Sequence, residues 1–270
     1  MKKFSKYKVD PVLFCLLIIF AIISVATIYS AQTLLATDMN DLYIKQLLWY
    51  GCGFVLAYFI MFLGNNFIYK NVWILYVLGV IALGLLLIFG TPIHNAKCWF
   101  TIPHVGNIQP SEFMKIILIL TLGTMIHKFN ETYPNPSVKQ EFFFLLKVMV
   151  VVFIPSILTF LEPDTGVVLI YLLITVIMLF ISGIRFRWFF LSFAILFLLV
   201  ACVLIIYFKS DELFIKLFGT DFFLRVDRLL DWSNQSGFQL ENGMSAIGAG
   251  NILGSGYLQT PIYFPEPQTD

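Results

Sequence analysis

Seven blocks of mainly apolar residues, each close to the roughly twenty that a helix needs to cross a bilayer, occupy most of this chain. Their approximate limits are 11–31, 42–64, 72–90, 108–127, 141–161, 165–182 and 188–208. With 59% hydrophobic residues, 12% charged residues and 29 phenylalanines among 270 positions, the apolar surface exceeds what one soluble core can bury. The pattern predicts an all-α polytopic membrane protein of about seven transmembrane helices. Lys2, Lys3, Lys6 and Lys8 give the start of the chain the look of a secretory signal. The apolar run behind them is long and no small-residue cleavage pattern follows it cleanly, so it is read as a retained first span.

Lysine and arginine in short loops set orientation, because positive loops stay on the cytoplasmic side. With the N-terminus inside, the inner segments carry the four N-terminal lysines, Lys70, Lys128, Lys139, Arg185 and Arg187, while the short outer loops carry only Lys97. This predicts a multi-pass protein of the plasma membrane with a cytoplasmic N-terminus. Residues 1–208 form the transmembrane bundle, and residues 209–270 form an extracytoplasmic loop. Lys45 and Lys147 fall near span ends and are expected to snorkel to the interface.

Several function classes drop out. A net charge of +1 with no basic run argues against nucleic acid. Cys15, Cys52 and Cys202 sit in apolar blocks as small packing residues, and Cys98 stands alone in a polar loop, so no disulfide framework or metal spacing emerges. His94, His104 and His127 make no compact ligand set. The glycines of 237–256 lack the Gly-Lys-Ser/Thr ending of a phosphate loop. They are read as turns and close approaches in a loop on the membrane surface, or as backbone amides lining a site for an anionic lipid-linked group.

The chemistry-bearing residues cluster at predicted outer ends of spans. Pro110 and Glu112 mark a helix start, and Glu112 and Lys115 share one face three residues apart, either as a structural ion pair or as a binding pair. Trp99 suits an interface anchor, and Lys97 is the only positive charge in the short outer loops. In Glu162-Pro163-Asp164-Thr165-Gly166, Asp164 suits a helix cap, and the two carboxylates alternatively suit a divalent cation. Arg225, Asp227, Arg228 and Asp231 interleave with Val226, Leu229, Leu230 and Trp232 as an amphipathic surface helix, either solvated or touching a phosphorylated lipid.

Six segments then align with a known pattern in the expected order: Ala96-Lys97-Cys98-Trp99-Phe100, Ile108-Gln109-Pro110-Ser111-Glu112-Phe113-Met114-Lys115, Pro163-Asp164-Thr165-Gly166, Gly237-Phe238-Gln239, Ala246-Ile247-Gly248-Ala249-Gly250 and Pro265-Glu266-Pro267-Gln268-Thr269-Asp270. Together they resemble the SEDS family, the group of RodA, FtsW and SpoVE, with a slight leaning to the RodA-like branch. The resemblance implies a peptidoglycan glycosyltransferase that polymerises lipid II, a disaccharide-pentapeptide on undecaprenyl diphosphate, for the cell wall in elongation, division or sporulation. It implies a class B penicillin-binding protein as partner, with membrane lipids around both.

By the same resemblance Asp270 is the essential carboxylate. Lys97, Lys115 and Arg225 are candidates to stabilise the leaving diphosphate, optionally with a divalent cation (Mg or Mn). Glu112 orients Lys115, and Trp99, Gln109, Ser111, Asp164 and Glu266 complete the substrate-binding set. The competing readings are a lipid-linked precursor transporter and a non-catalytic subunit of the wall-synthesis complex. This chain departs from the family pattern at Pro267 and Gln268, and at Glu162, where many members have glutamine. The family also continues after the aspartate with about three further spans, so the expectation is that these 270 residues alone are inactive or weak.

Overall fold

The computed structural model describes residues 10–32, 41–93, 96–102, 106–220, 222–224, 226–227, 238–252 and 254–259. Long helices occupy the positions of all seven apolar blocks: α1 Pro11–Gln32, α2 Leu42–Leu63, α4 Val72–Phe89, α5 Pro110–Thr132, α6 Val138–Leu161, α7 Thr165–Ile181 and α8 Phe186–Lys209, with a short α3 at Asn65–Lys70. Among the described residues five of these are long and apolar enough to span a membrane: α1, α2, α4, α6 and α8. The apolar α7 is a little shorter, at 17 residues.

The chain forms two compact units, with residues 47–185 in one and residues 9–46 and 186–270 in the other. In the first, α4 to α7 pack through faces that repeat every three or four residues: Tyr76, Leu83 and Leu86 on α4, Met114, Leu118 and Leu122 on α5, Phe144, Val148 and Val152 on α6, and Val167 and Tyr171 on α7. The outward faces are equally apolar, with Ile116, Phe142, Leu146, Ile157 and Leu173 all exposed. Helices that are apolar all round belong in lipid. At Gly79 an added Cβ would sit 2.7 Å from the Met114 sulfur, so the missing side chain lets α4 and α5 approach closely.

One interhelical hydrogen bond has a specific cause. Pro155, inside α6, has no N–H to offer the carbonyl of Val151 one turn earlier. The buried Tyr76 hydroxyl of α4 donates to that carbonyl at 2.9 Å and repairs the ladder. Tyr76→Phe is therefore expected to cost about 1–2 kcal/mol by orphaning the carbonyl. The loss should shrink when Pro155→Ala restores the intrahelical donor. Thermal unfolding of the two single variants and the double variant checks this, and equal losses in both backgrounds would refute it.

α6 begins with a capping box: Ser137 Oγ accepts from the Gln140 N–H at 3.3 Å, and the Gln140 side chain accepts from the Ser137 N–H at 2.8 Å. Beside it Glu141, 1% exposed, pairs with Arg185 at 3.3 Å, and Arg185 also donates to the Pro136 carbonyl. Asn130 donates to the Ser182 carbonyl at 3.0 Å, so the end of α5, the start of α6 and the turn after α7 are tied together.

In the second unit α1 and α8 expose most of their side chains. Gln46 donates to Ser24 Oγ at 3.2 Å, and Gln32 accepts from the Tyr43 N–H at 3.1 Å, which holds the start of α2 to α1. Phe214 of α9, Asp211–Phe218, is fully buried among Tyr207, Phe218, Phe222 and Phe223. Ser210 caps α9, and Gly219, at a φ of 86°, ends it.

Four expectations change. The segment 91–108, read as a loop, holds a three-stranded antiparallel sheet, β1 Thr91–Ile93, β2 Ala96–Ile102 and β3 Gly106–Ile108, in the order β1-β2-β3. Phe100 pairs with Ile108 and Ile102 with Gly106. The glycine-rich stretch forms helix α10, Phe238–Gly250, where Leu240, Met244 and Ile247 give a helical period that the glycines masked. Lys147 lies nine residues beyond Val138, well inside α6, because the capping box starts that helix earlier than the apolar run suggests. Cys98 is buried, whereas Cys15, Cys52 and Cys202 are exposed on the apolar helix surfaces.

Candidate functional site

The polar residues of the first unit converge where α5 begins, α6 ends and α7 begins, under the sheet. β2 leads with Lys97, which is exposed, and alternation turns the next residue, Cys98, inward. Its thiol donates to the Glu162 carbonyl at 2.7 Å, fastening the strand to the turn after α6. Burial, aided by the negative charges of Asp164 and Glu162, pushes that thiol up to about 11, so it stays protonated at neutral pH.

Gln109 follows β3 and precedes Pro110 at the first turn of α5. Its side-chain amide donates to Asp164 Oδ2 at 2.5 Å. The other Asp164 oxygen accepts from the Val167 N–H at 3.1 Å, so Asp164 caps α7 and bridges it to α5 at once. Behind this bridge the buried Tyr171 hydroxyl donates to the Ser111 carbonyl at 2.9 Å.

Four oxygens in this region are buried and lack a hydrogen-bond partner among the described residues: Ser111 Oγ, Thr159 Oγ1 and both carboxyl oxygens of Glu162. Thr159 and Glu162 lie one turn apart at the end of α6, and both stand within electrostatic reach of the Tyr171 hydroxyl. Glu162 is 0% exposed. Burial first, and then the charge of Asp164, raise its pKa to about 8. It is a neutral acid at pH 7, able to donate a hydrogen bond while Asp164 accepts them.

On the outer face of the same helix start, Lys115 Nζ meets Glu112 at 2.7 Å, with side-chain exposures of 21% and 52%. The ammonium group is the more shielded partner, and the carboxylate opens to solvent. Such a pair adds only about 0.3–0.5 kcal/mol to stability. What it does contribute is a cation held at a fixed place on the first two turns of α5.

The structure thus brings Gln109, Ser111 and Asp164 together and joins Glu112 to Lys115. Trp99 is half-buried on β2 next to Cys98. Arg225, Glu266 and Asp270 lie outside the described residues, as does most of the expected amphipathic helix at 225–232 and the histidines His94 and His104. Sequence reasoning left Cys98, Thr159 and Tyr171 out of the site and read Glu162 only as a candidate cation ligand and a departure from the family pattern. Thr159 and Tyr171 carried only the faint signal of polar groups near the ends of apolar blocks.

Among the described residues no group of three or more His, Cys, Asp or Glu side chains could hold a metal ion. The carboxylates of the turn between α6 and α7 are Asp164, which caps α7 and accepts from Gln109, and Glu162, whose oxygens have no hydrogen-bond partner among the described residues.

Comparison with known proteins agrees with this architecture. The profile of the family described as cell cycle protein, which groups FtsW, RodA and SpoVE, matches residues 10–270. A probable peptidoglycan glycosyltransferase FtsW of Wigglesworthia glossinidia brevipalpis is 30% identical over 97% of this chain and 66% of its own length. One with the same description from Buchnera aphidicola subsp. Baizongia pistaciae is 30% identical over 84% of this chain and 56% of its own. The chain therefore spans between about half and two thirds of the length of these relatives.

Among solved structures, a chain of a peptidoglycan synthase complex that coordinates polymerization and crosslinking superposes with a TM-score of 0.64 and 21% identity, over 88% of this chain and 64% of that one. The rod shape determining protein RodA of Thermus thermophilus gives 0.52 and 22%, over 67% and 57%. These likenesses support the fold. On its all-helical spans, its ordered motifs and a profile match over nearly its whole length, the chain belongs to the FtsW, RodA and SpoVE family of multi-pass membrane proteins.

Proposed function

We propose that this chain is the larger part of a peptidoglycan glycosyltransferase that polymerises lipid II on the outer face of the bacterial plasma membrane. The observation that carries the reading is the polar end of α5 to α7. There the first turns of α5 carry Lys115, steadied by Glu112 at 2.7 Å, and the same helix end holds the Gln109–Asp164 bridge, with the buried acid Glu162 in the turn before α7, on helices otherwise clad for lipid. A lipid-linked diphosphate needs this combination of a cation, neutral donors and an apolar surround.

In this reading residues 1–208 carry seven spans with a cytoplasmic N-terminus, and residues 209–270 form an extracytoplasmic loop that carries Asp270. The excess of lysine and arginine in the opposite loops supports that orientation. Lys115, with Lys97 and Arg225, faces the diphosphate. Asp270 takes the proton from the acceptor sugar's hydroxyl as its oxygen attacks the anomeric carbon and the diphosphate departs from the opposite face, a single displacement with inversion. Gln109, Ser111, Asp164, Trp99 and Glu266 position the sugar and the lipid head. A class B penicillin-binding protein crosslinks the product, a role supported by the description of the superposed synthase complex, which coordinates polymerization and crosslinking.

Lipid II binding tests the site directly. In detergent, Lys115→Gln is expected to weaken binding about tenfold, the loss of one charge-assisted contact to phosphate. Glu112→Gln should weaken it less, because the ammonium group remains. Unchanged binding in Lys115→Gln would remove this end of the bundle from substrate recognition.

A further inference from the structure

At the other end of the same helices, α4, α5 and α6 frame an open groove of about 690 Å³, within the range of built ligand clefts. Trp73 stands at its α4 wall, Lys128 and Tyr133 at the end of α5, and Phe143, Lys147 and Val150 along α6. The groove is mainly apolar, and Lys128 and Lys147 are the charged residues of its lining.

Those charges are placed unusually for a lipid-facing surface. Lys128 lies four residues before the end of α5, at interface depth. Lys147 lies nine residues into α6, about 14 Å along the helix at 1.5 Å per residue, deeper than a head group normally reaches. A lysine at such depth is costly unless it meets an anion. Local carboxylates do not supply one: Glu141 is buried against Arg185, and Glu131 stands beside His127 at 4.0 Å. Among the described residues neither Lys128 nor Lys147 forms an ion pair. Two of the nearby hydroxyls are also committed, since Thr124 and Thr132 donate to the carbonyls of Leu120 and Lys128 in their own helix.

We propose that this groove binds one anionic phospholipid of the leaflet on the side of the 133–137 loop, with its phosphate between Lys128 and Lys147 and an acyl chain along Phe143 and Val150. Charge complementarity selects this occupant. A transmembrane helix seated here would cover the apolar wall but leave both ammonium groups unneutralised. A zwitterionic lipid would bring its own cation to the same place. Trp73 and Tyr133, with apolar bodies and polar tips, suit the head-group level on either side. The inference is independent of the catalytic reading, because it concerns the opposite end of α5 and α6.

Native mass spectrometry of the detergent-purified protein, supplied with phosphatidylglycerol or phosphatidylcholine, tests it. The parent should retain one phosphatidylglycerol in preference to phosphatidylcholine. The Lys128→Gln/Lys147→Gln variant should bind phosphatidylglycerol about 30-fold more weakly, at about one kcal/mol per surface-proximal lysine. Lys147→Arg should keep the lipid, and so should Lys45→Gln, which lies outside the groove. Equal retention of both lipids by the parent would overturn the proposal. So would undiminished phosphatidylglycerol binding by the double variant, or a photocrosslinker at Phe143 that captures a protein helix instead of lipid.

Discussion

Asp270→Ala, made in a chain extended to the length of its relatives, is expected to lower lipid II polymerisation by at least about 100-fold while leaving lipid II binding within a few-fold. A positioned general base contributes roughly 10²–10⁴ to rate, and among the described residues of the α5–α7 end no carboxylate is free to replace it. Among the described carboxylates of the site, Asp164 is committed to Val167 and Gln109, Glu112 to Lys115, and Glu162 is held as a neutral acid. Asp270→Asn should fail as badly as Asp270→Ala, since it keeps the shape and removes the basicity. Asp270→Glu should retain some activity. Steady-state polymerisation rates, with melting temperature as a control for folding, separate these outcomes. Activity within tenfold of the parent in the asparagine variant would remove Asp270 from the proton transfer.

The second large effect is on stability. Glu162 carries its proton up to about pH 8 in the folded protein, against 4.5 for an ordinary glutamic acid. Between those values the folded state binds a proton that the unfolded state releases, so stability falls as pH rises through the window, by about 1.4 kcal/mol per pH unit for one group. At pH 7 the accumulated cost is on the order of 3 kcal/mol. Glu162→Gln offers the neutral hydrogen-bonding shape without a proton to hold. The variant should therefore melt several degrees higher than the parent at pH 8 and at the same temperature near pH 4.5. A difference that does not change with pH, or a variant less stable at every pH, would show that the site does not hold Glu162 neutral.

This neutral acid also gives Asp164 its freedom to act. Two ionised carboxylates two residues apart at a buried turn would repel each other. By keeping one proton, the turn leaves a single negative charge, and that charge serves both the cap of α7 and the bridge to Gln109.

How much of this was legible depended on whether the signal was local. The spans were readable because membrane helices need only length and apolarity, and blocks such as 72–90 and 165–182 reappear as α4 and α7 within a residue or two. Asp164 was readable as a cap and Glu112–Lys115 as a pair, because both depend on spacing within one turn. The small sheet was missed because strands of three residues, Thr91–Ile93 and Gly106–Ile108, are too short to show alternation. The buried cluster was missed for a different reason. Tyr171 meets Ser111 across sixty residues of sequence, and Cys98 meets Glu162 across sixty-four. Such contacts arise from packing, which a sequence met alone does not display. The hydrogen bond from Tyr76 to the Val151 carbonyl, seventy-five residues away, is of the same kind.

The most direct test of the central claim is polymerisation of purified lipid II in proteoliposomes, by the chain extended to the length of its relatives and mixed with the proposed partner, a class B penicillin-binding protein. Glycan strands that lengthen with time, and that disappear with Asp270→Ala, are the predicted result. Lipid II that binds at the α5–α7 end but is never joined into strands would contradict it, and would leave the chain a carrier or scaffold instead of an enzyme.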